Sequence, residues 1–245
     1  MTPRTVCTIE ARMTSTRLPG KVLAQAEGQP LLAHMIARLR RCQQLDEIVV
    51  ATTVRPTDDP VADLARGLGA GVFRGSEEDV LSRVLGAARA YDAELIVETS
   101  ADCPLIDPEV VGEVISRFAD GDADYCSNTL ERTYPRGMDV QVFPTAVLGE
   151  VDRLTDDPAD REHVSLYIYE HPERYRLRSV TAAAPRHTDA RLTVDTPEDL
   201  ALIRAILAEL SGGNPAFGLS EILDLLDARP DLLALNSSVE QKPVR

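Results

Sequence analysis

No run in this sequence approaches the ~18 consecutive apolar residues that a membrane-spanning helix needs, so no membrane partner is expected. Basic charge is scarce as well. Lys and Arg number 26 against 40 Asp and Glu, a formal net charge of −14. That balance speaks against nucleic acid or an anionic membrane surface as a general partner, because both are polyanions. A small anionic ligand is still compatible with it where the local field is positive. Cysteine is sparse: Cys7, Cys42, Cys103 and Cys126 are widely spaced and form no CxxC pair. They read as reduced thiols of a cytoplasmic protein, not as zinc ligands or disulfides. Met1-Thr2-Pro3-Arg4 leads straight into an apolar segment, so no signal peptide is expected. A Walker A loop is excluded, since GxxxxGK followed by Ser or Thr does not occur.

What is present is 245 residues, 44% of them hydrophobic, enough for one large domain with a sizeable core. Apolar runs alternate with helical periodicity. Strands are expected at 6–9, 48–51, 72–73 and 94–98, and helices at about 30–42, 60–67, 79–91 and 108–118. Leu31, Leu32, Met35, Ile36 and Leu39 share one helix face, and Pro30 suits a first helical turn. Such alternation implies a parallel sheet covered on both faces, with ligands bound beyond the carboxyl ends of its strands. The region 127–190 reads as an α+β insertion, with strands near 139–143 and 175–180 and a helix over 160–169. A strand at 191–194 precedes a helix over 197–210, capped by Thr196 or Asp195. The domain is expected to span 1–235, and residues 236–245 to form a tail without fixed structure.

The most informative segment is Ile9-Glu10-Ala11-Arg12-Met13-Thr14-Ser15-Thr16-Arg17-Leu18-Pro19-Gly20-Lys21. Arg12, Arg17 and Lys21 stand in one loop after a strand, among small hydroxyl residues, a Pro and a Gly. In an acidic protein, three fixed cations beside a flexible backbone suit a polyphosphate. The bland alternative is an exposed turn. Asp102 follows another strand, and Cys103-Pro104 forces an extended backbone there. A carboxylate fixed near a polyphosphate suits Mg²⁺, although a turn cap would look the same. Asp195 opens Asp195-Thr196-Pro197-Glu198-Asp199. It is either a local helix start or a second Mg²⁺ ligand opposite Asp102. Arg136, Asp139, Arg161 and His163 form a further polar set, suited to an anionic acceptor or to ion pairing. His34 reads as structural.

Seven blocks in order carry a family resemblance: ARMTSTRLPGK at 11–21, IVVATT at 48–53, VFRGSEEDVLSR at 72–83, TSADCPLIDPE at 99–109, YPRGMDVQVF at 134–143, DREHVSLYI at 160–168 and LTVDTPEDL at 192–200. The chain resembles the cytidylyltransferases that activate acidic sugars, and among them the spore coat polysaccharide branch. The first and last blocks recur in the ketodeoxyoctonate cytidylyltransferases. The resemblance implies a nucleotide-diphospho-sugar transferase fold, a Rossmann-like three-layer α/β/α sandwich whose insertion completes a homodimer. It implies CTP and an anionic small molecule as partners, and Mg²⁺ as cofactor. Arg12, Lys21, Asp102 and Asp195 would be catalytic, with Asp102 and Asp195 on the metal. Ala11, Arg12, Ser15, Arg17, Lys21 and Asp102 would hold the nucleotide, with Arg74, Ser76 and Ser82 flanking its base. Arg136, Asp139, Arg161 and His163 would meet the acceptor, be it an acidic sugar, a sugar phosphate or a phosphonate. The chain departs from the family pattern at Glu10, Thr14, Glu98 and Gln141.

Three other readings remain at this level. One is a sugar-1-phosphate nucleotidylyltransferase using GTP or UTP. Another is a nucleotide-sugar-dependent glycosyltransferase, for which Asp122-Ala123-Asp124 has DxD spacing but lies outside the seven blocks. The third is a silent nucleotide-binding subunit, which intact Arg12, Lys21, Asp102 and Asp195 count against.

Overall fold

The structure, a computed structural model, describes residues 2–241. Its strands are Thr5–Glu10 (β1), Gln25–Ala26 (β2), Gln29–Pro30 (β3), Glu47–Thr53 (β4), Gly71–Gly75 (β5), Leu95–Ser100 (β6), Tyr125–Ser127 (β7), Gln141–Pro144 (β8) and Leu177–Ser179 (β9). Its α-helices are Leu31–Leu39 (α1), Asp59–Gly67 (α2), Val80–Ala90 (α3), Pro108–Ala119 (α4), Thr145–Leu154 (α5), Pro158–Glu162 (α6), Leu166–Glu170 (α7), Pro197–Ser211 (α8), Leu219–Ala228 (α9) and Pro230–Leu233 (α10). One sheet runs β5-β4-β1-β6-β8-β7-β9, and β2 and β3 form a separate hairpin.

β1, β4, β5 and β6 pair in parallel, as the alternation of strands and helices implies. Residues of one strand feed two cores. Cys7 and Ile9 of β1 pack with Leu32 and Ile36 of α1, Val111 of α4 and Ile203 of α8. Val6, one residue out of phase, packs with Leu81 and Val84 of α3 and Leu148 of α5. Helices therefore cover both faces, and the expected Rossmann-like three-layer α/β/α fold is the observed one. The parallel strands all end toward one edge, so the loops after β1 and β6 leave side by side.

The region 127–190 does mix strands and helices, but its strands continue the main sheet. β8 lies antiparallel to β6, with Glu98 opposite Gln141, and β7 and β9 extend the sheet beyond it. Without these strands β6 would be an open edge. Strand alternation reveals which face is buried and says nothing of the pairing partner.

Three local expectations are corrected. The helix foreseen over 160–169 is two, α6 and α7, because Val164 adopts φ 46 between them. A β-branched residue in that region is sterically disfavoured, and periodicity gives no sign of it. Residues 191–194 make a single bridge, Arg136 to Arg191, instead of a strand. Pro30 precedes α1 in extended geometry, ψ 147, and ends the β2–β3 hairpin. That hairpin turns at Glu27 and Gly28, both at positive φ (45 and 74), as a two-residue turn between twisted strands requires.

Fixed structure also continues past position 236. Asn236 is buried, and its amide donates to the Arg191 carbonyl and to Asp199 Oδ1, each at 2.9 Å. Gln241 Oε1 accepts from Arg191. Residues 242–245, the rest of the expected tail, lie outside the described residues.

Candidate active site

The cationic loop leaves β1 and is pinned at both ends. The Met13 amide donates to Oδ1 of the buried Asp58 at 2.7 Å. Gly20, at φ 72, turns the chain back so that its amide meets the Met13 carbonyl at 2.9 Å. Only glycine reaches that backbone region without strain. A 3₁₀ turn, Lys21–Leu23, follows at once and fixes Lys21. Among the described residues, the amides of Thr14, Ser15, Thr16 and Arg17 have no hydrogen-bond acceptor.

Lys21 reaches two carboxylates from distant segments. Its Nζ lies 2.7 Å from Asp195 Oδ1 and 3.5 Å from Asp102 Oδ2. Asp102 stands in the loop after β6 and Asp195 just before α8. The Val194 amide donates to the Asp102 carbonyl at 2.8 Å, which ties the two loops together. Arg17 Nη2 lies 3.0 Å from Asp195 Oδ2, and Arg191 also donates to that oxygen. Burial disfavours the charge on Asp195, yet Lys21, Arg17 and Arg191 together hold its carboxyl below the ordinary carboxylate range. Burial likewise opposes the Lys21 ammonium, and Asp102 and Asp195 outweigh it, so its pKa is raised.

Behind Asp195 sits Asp199, fully buried. It accepts from the amides of Asp195 (2.9 Å) and Thr196 (3.1 Å) and from Arg191 Nε (3.1 Å). Thr196 returns a bond to the Asp199 amide, completing a capping box at the start of α8. The sequence marks this helix start and leaves the role of Asp199 in orienting Asp195 unread. A charged Arg191 at the head of an apolar segment was the available signal, since a buried arginine needs a carboxylate.

A cavity of about 200 Å³ opens beside the pair, lined by Asp102, Asp195, Glu10, Glu98, Arg136 and Asp139 among others. Asp139 accepts two bonds from Arg132, at 2.8 and 3.1 Å. Arg136 has no side-chain partner among the described residues, and burial together with nearby Arg132 lowers its pKa. Its segment needs Gly137, because a Cβ there would sit 2.7 Å from the Leu192 carbonyl carbon, at φ 100. Cys103 also lines the cavity. Burial pushes its thiol well up, so it stays protonated and is no nucleophile.

The sequence model of the cytidylyltransferases matches residues 6–228. The chain belongs to the cytidylyltransferase family. It is similar to the spore coat polysaccharide biosynthesis protein SpsF of Bacillus subtilis, 36% identical over 232 residues, 91% of this chain and 94% of that protein. It is 30% identical to the 3-deoxy-manno-octulosonate cytidylyltransferase of Anaeromyxobacter dehalogenans, over 82% of this chain and 96% of that one. Among solved structures it is similar to a cytidylyltransferase from Leptospira borgpetersenii, with TM-score 0.91 and 29% identity over 98% of this chain and all of the other.

In this cytidylyltransferase the expected site residues divide. Lys21, Arg17, Asp102 and Asp195 converge, and Arg136 and Asp139 line the adjoining cavity. Arg12 turns outward, its Nη1 3.5 Å from the Glu77 carbonyl and 3.8 Å from Glu77 Oε1. Thr14 and Arg55 meet the same carboxylate, and these contacts, the Thr14 hydroxyl first, lower its pKa. Ala11 is buried, and Ser15 Oγ accepts weakly from the Leu18 amide at 3.5 Å.

Several other expected positions are engaged in bonds within the chain. Arg74 is bound to the Thr53 carbonyl, the Arg55 carbonyl and Asp59, fastening β5 to the segment after β4. Ser76 Oγ accepts from the Asp79 amide, and the Ser82 amide donates to Asp79, the cap of α3. Arg161 is held by Asp79 (2.9 Å) and Asp152 (3.0 Å), which fastens α6 to the start of α3. His163 caps the end of α6 and is not among the cavity-lining residues. Asp122 and Asp124 both pair with Arg176 at the outer part of the sheet, away from the converging carboxylates. All four cysteines are free and buried, and no described helix is long and apolar enough to cross a membrane.

Proposed function

We propose that this protein transfers CMP from CTP to an acidic acceptor and releases pyrophosphate, with Mg²⁺ as its cofactor. One observation carries the reading: Lys21, Asp102 and Asp195 converge beside a cationic loop in which the amides of residues 14–17 have no acceptor among the described residues. Similarity to 3-deoxy-manno-octulosonate cytidylyltransferases supports an acidic sugar as the acceptor.

The donor set fits the metal. Two carboxylates from separate loops already surround one cation, the Lys21 ammonium, and their oxygens are hard ligands. Among the described residues no group of three or more His, Cys, Asp or Glu could hold a metal. Mg²⁺ needs no such group, since it uses one or two carboxylates and completes its shell with phosphate oxygens and water. Bound at Asp102 and Asp195, it would supply charge neutralisation at the phosphates.

The chain's own residues do the rest. Arg17 and the loop amides receive the outer phosphates. Lys21 stabilises charge as the bridge between the α- and β-phosphates breaks. Arg136 holds the anionic end of the acceptor, so that its oxygen approaches the α-phosphorus in line with the departing pyrophosphate. A new P–O bond forms, the bridging P–O bond breaks, and an acceptor hydroxyl gives up its proton to solvent. Catalysis is then mainly positioning and charge stabilisation.

The glycosyltransferase reading loses its main support, since the DxD carboxylates are engaged by Arg176. A sugar-1-phosphate nucleotidylyltransferase differs only in base and acceptor. Calorimetric titration of CTP, UTP, GTP and ATP, with and without Mg²⁺, separates these readings. Selective CTP binding that Mg²⁺ strengthens and Asp102→Asn weakens is the expected result. Preference for another base would move the product to a different activated sugar. Failure to bind any triphosphate would overturn nucleotidyl transfer. The reading includes a cytoplasmic homodimer, for which sedimentation is the direct check.

A further inference from the structure

The cavity beside the catalytic carboxylates has an unsatisfied wall. Glu98 on β6 is 5% exposed, and its Oε2 has no hydrogen-bond partner among the described residues. Glu10 ends β1, on the same face of the sheet: Thr8 registers with Glu98, and Glu10 lies two residues further along the strand. Glu10 Oε1 is also partnerless. Thr193, 8% exposed, contributes a third such oxygen, Oγ1. All three residues line one cavity with Arg136.

Among the described residues no ion pair reaches these carboxyls. The field of Arg83 reaches Glu10, but Arg83 forms no ion pair with it and donates to the carbonyls of Ser76 and Glu77. Gln141, opposite Glu98 in the sheet, has its Oε1 engaged by Tyr125 and Ser165. Burial pushes the Glu10 carboxyl up to about 8, with Asp102 adding to the rise, and burial and the neighbouring Glu10 raise that of Glu98 as well. Buried polar atoms are nearly always satisfied, so three orphaned oxygens on residues that line one cavity point to a missing ligand group.

That group has a definite chemistry. Sugar hydroxyls could donate to the oxygens but would bring no positive charge to let the buried carboxyls ionise. A protonated amine brings one positive charge and three N–H donors, against three partnerless acceptor oxygens. Resting on the cytidylyltransferase reading above, we propose that the acceptor is a zwitterion, with its anionic group on Arg136 and an ammonium group on Glu98, Glu10 and Thr193. Glu98 and Glu10 are then residues that select the acceptor and have no part in nucleotide binding.

The test uses the full-length protein saturated with the α,β-methylene analogue of CTP, which cannot turn over. Calorimetry compares gluconate with 6-amino-6-deoxygluconate, which differ only in amine for hydroxyl. The amino compound is expected to bind at least about tenfold more tightly, the factor that a charge-assisted hydrogen bond supplies. Glu98→Gln and Glu10→Gln should each erase most of that preference and leave affinity for the analogue unchanged. Equal affinity for the two acids, tighter binding of gluconate, or binding of neither would overturn the proposal. So would a preference that survives both substitutions. Failure of the wild type to bind the analogue would instead bring down the nucleotidyl-transfer reading, and the zwitterion with it.

Discussion

Lys21 Nζ lies 2.7 Å from Asp195 Oδ1, joining residues 174 positions apart in the chain. In the proposed reaction the contact holds an ammonium where the phosphate charge is offset. Removing one such preorganised group typically costs about 10²–10³ in rate. Lys21→Ala and Asp102→Asn are therefore each expected to lose at least that factor in pyrophosphate release, with the far-ultraviolet circular dichroism unchanged. Wild-type turnover in either purified variant would remove that residue from the catalytic set.

Asp199 is a positioning residue. It accepts from Arg191 and from the amides of Asp195 and Thr196, all at a fully buried site. Asp199→Ala leaves a buried guanidinium short of a partner, a change that costs about 3–5 kcal/mol. Urea unfolding should report a loss of that order. A variant as stable as wild type would contradict the arrangement around Asp195.

Arg136 and Arg161 make opposite predictions. Arg136 lines the cavity with no side-chain partner among the described residues, whereas Arg161 is engaged by Asp79 and Asp152. Arg136→Ala should raise the acceptor KM about tenfold or more, since a charged hydrogen bond is lost. Arg161→Ala should leave that KM unchanged and lower the melting temperature instead. Steady-state kinetics at saturating CTP distinguishes the two, and an acceptor KM that moves with Arg161 would restore it to the binding site.

Glu10 gives a pH signature. An unfolded Glu titrates near 4.3, and burial raises this one to about 8. Between those values the folded chain keeps a proton that the unfolded chain has released. Stability must then fall as pH rises, by up to about 1.4 kcal/mol per unit. Glu10→Gln removes this contribution, so it should stabilise the protein near pH 8 and have little effect near pH 4.5. Glu98 is raised for the same reason and leaves part of the slope in place. Urea unfolding across this range is the measurement, and identical slopes in variant and wild type would refute the buried titration.

The first half of the chain is legible because its elements are local. Continuous apolar runs mark β1, β4, β5 and β6, and a period of 3.6 residues marks the helices between them. The cationic loop and Asp102 were readable for a related reason: unusual residues follow a strand end. Long-range pairing was not readable. Nothing in Gln141-Val142-Phe143 says that it lies antiparallel to β6, and nothing in Arg161 says that its partner is Asp79, 82 positions earlier. Arg74 shows the same limit, since an arginine at a strand end can serve a ligand or three nearby acceptors. Orphaned oxygens on Glu10, Glu98 and Thr193 cannot be read from sequence at all, since satisfaction is a property of the assembled interior.

The hydrogen bond from the Val194 amide to the Asp102 carbonyl joins two loops that are made far apart in time during synthesis. Asp195, its guide Asp199 and helix α8 all leave the ribosome after every strand of the sheet. A nascent chain halted before them can pair β1, β4, β5 and β6, yet Asp102 and Lys21 would face water without their third member. Contacts so far apart in sequence are also the slow ones to form. The newborn protein thus completes its sheet first and the Lys21–Asp195 contact last.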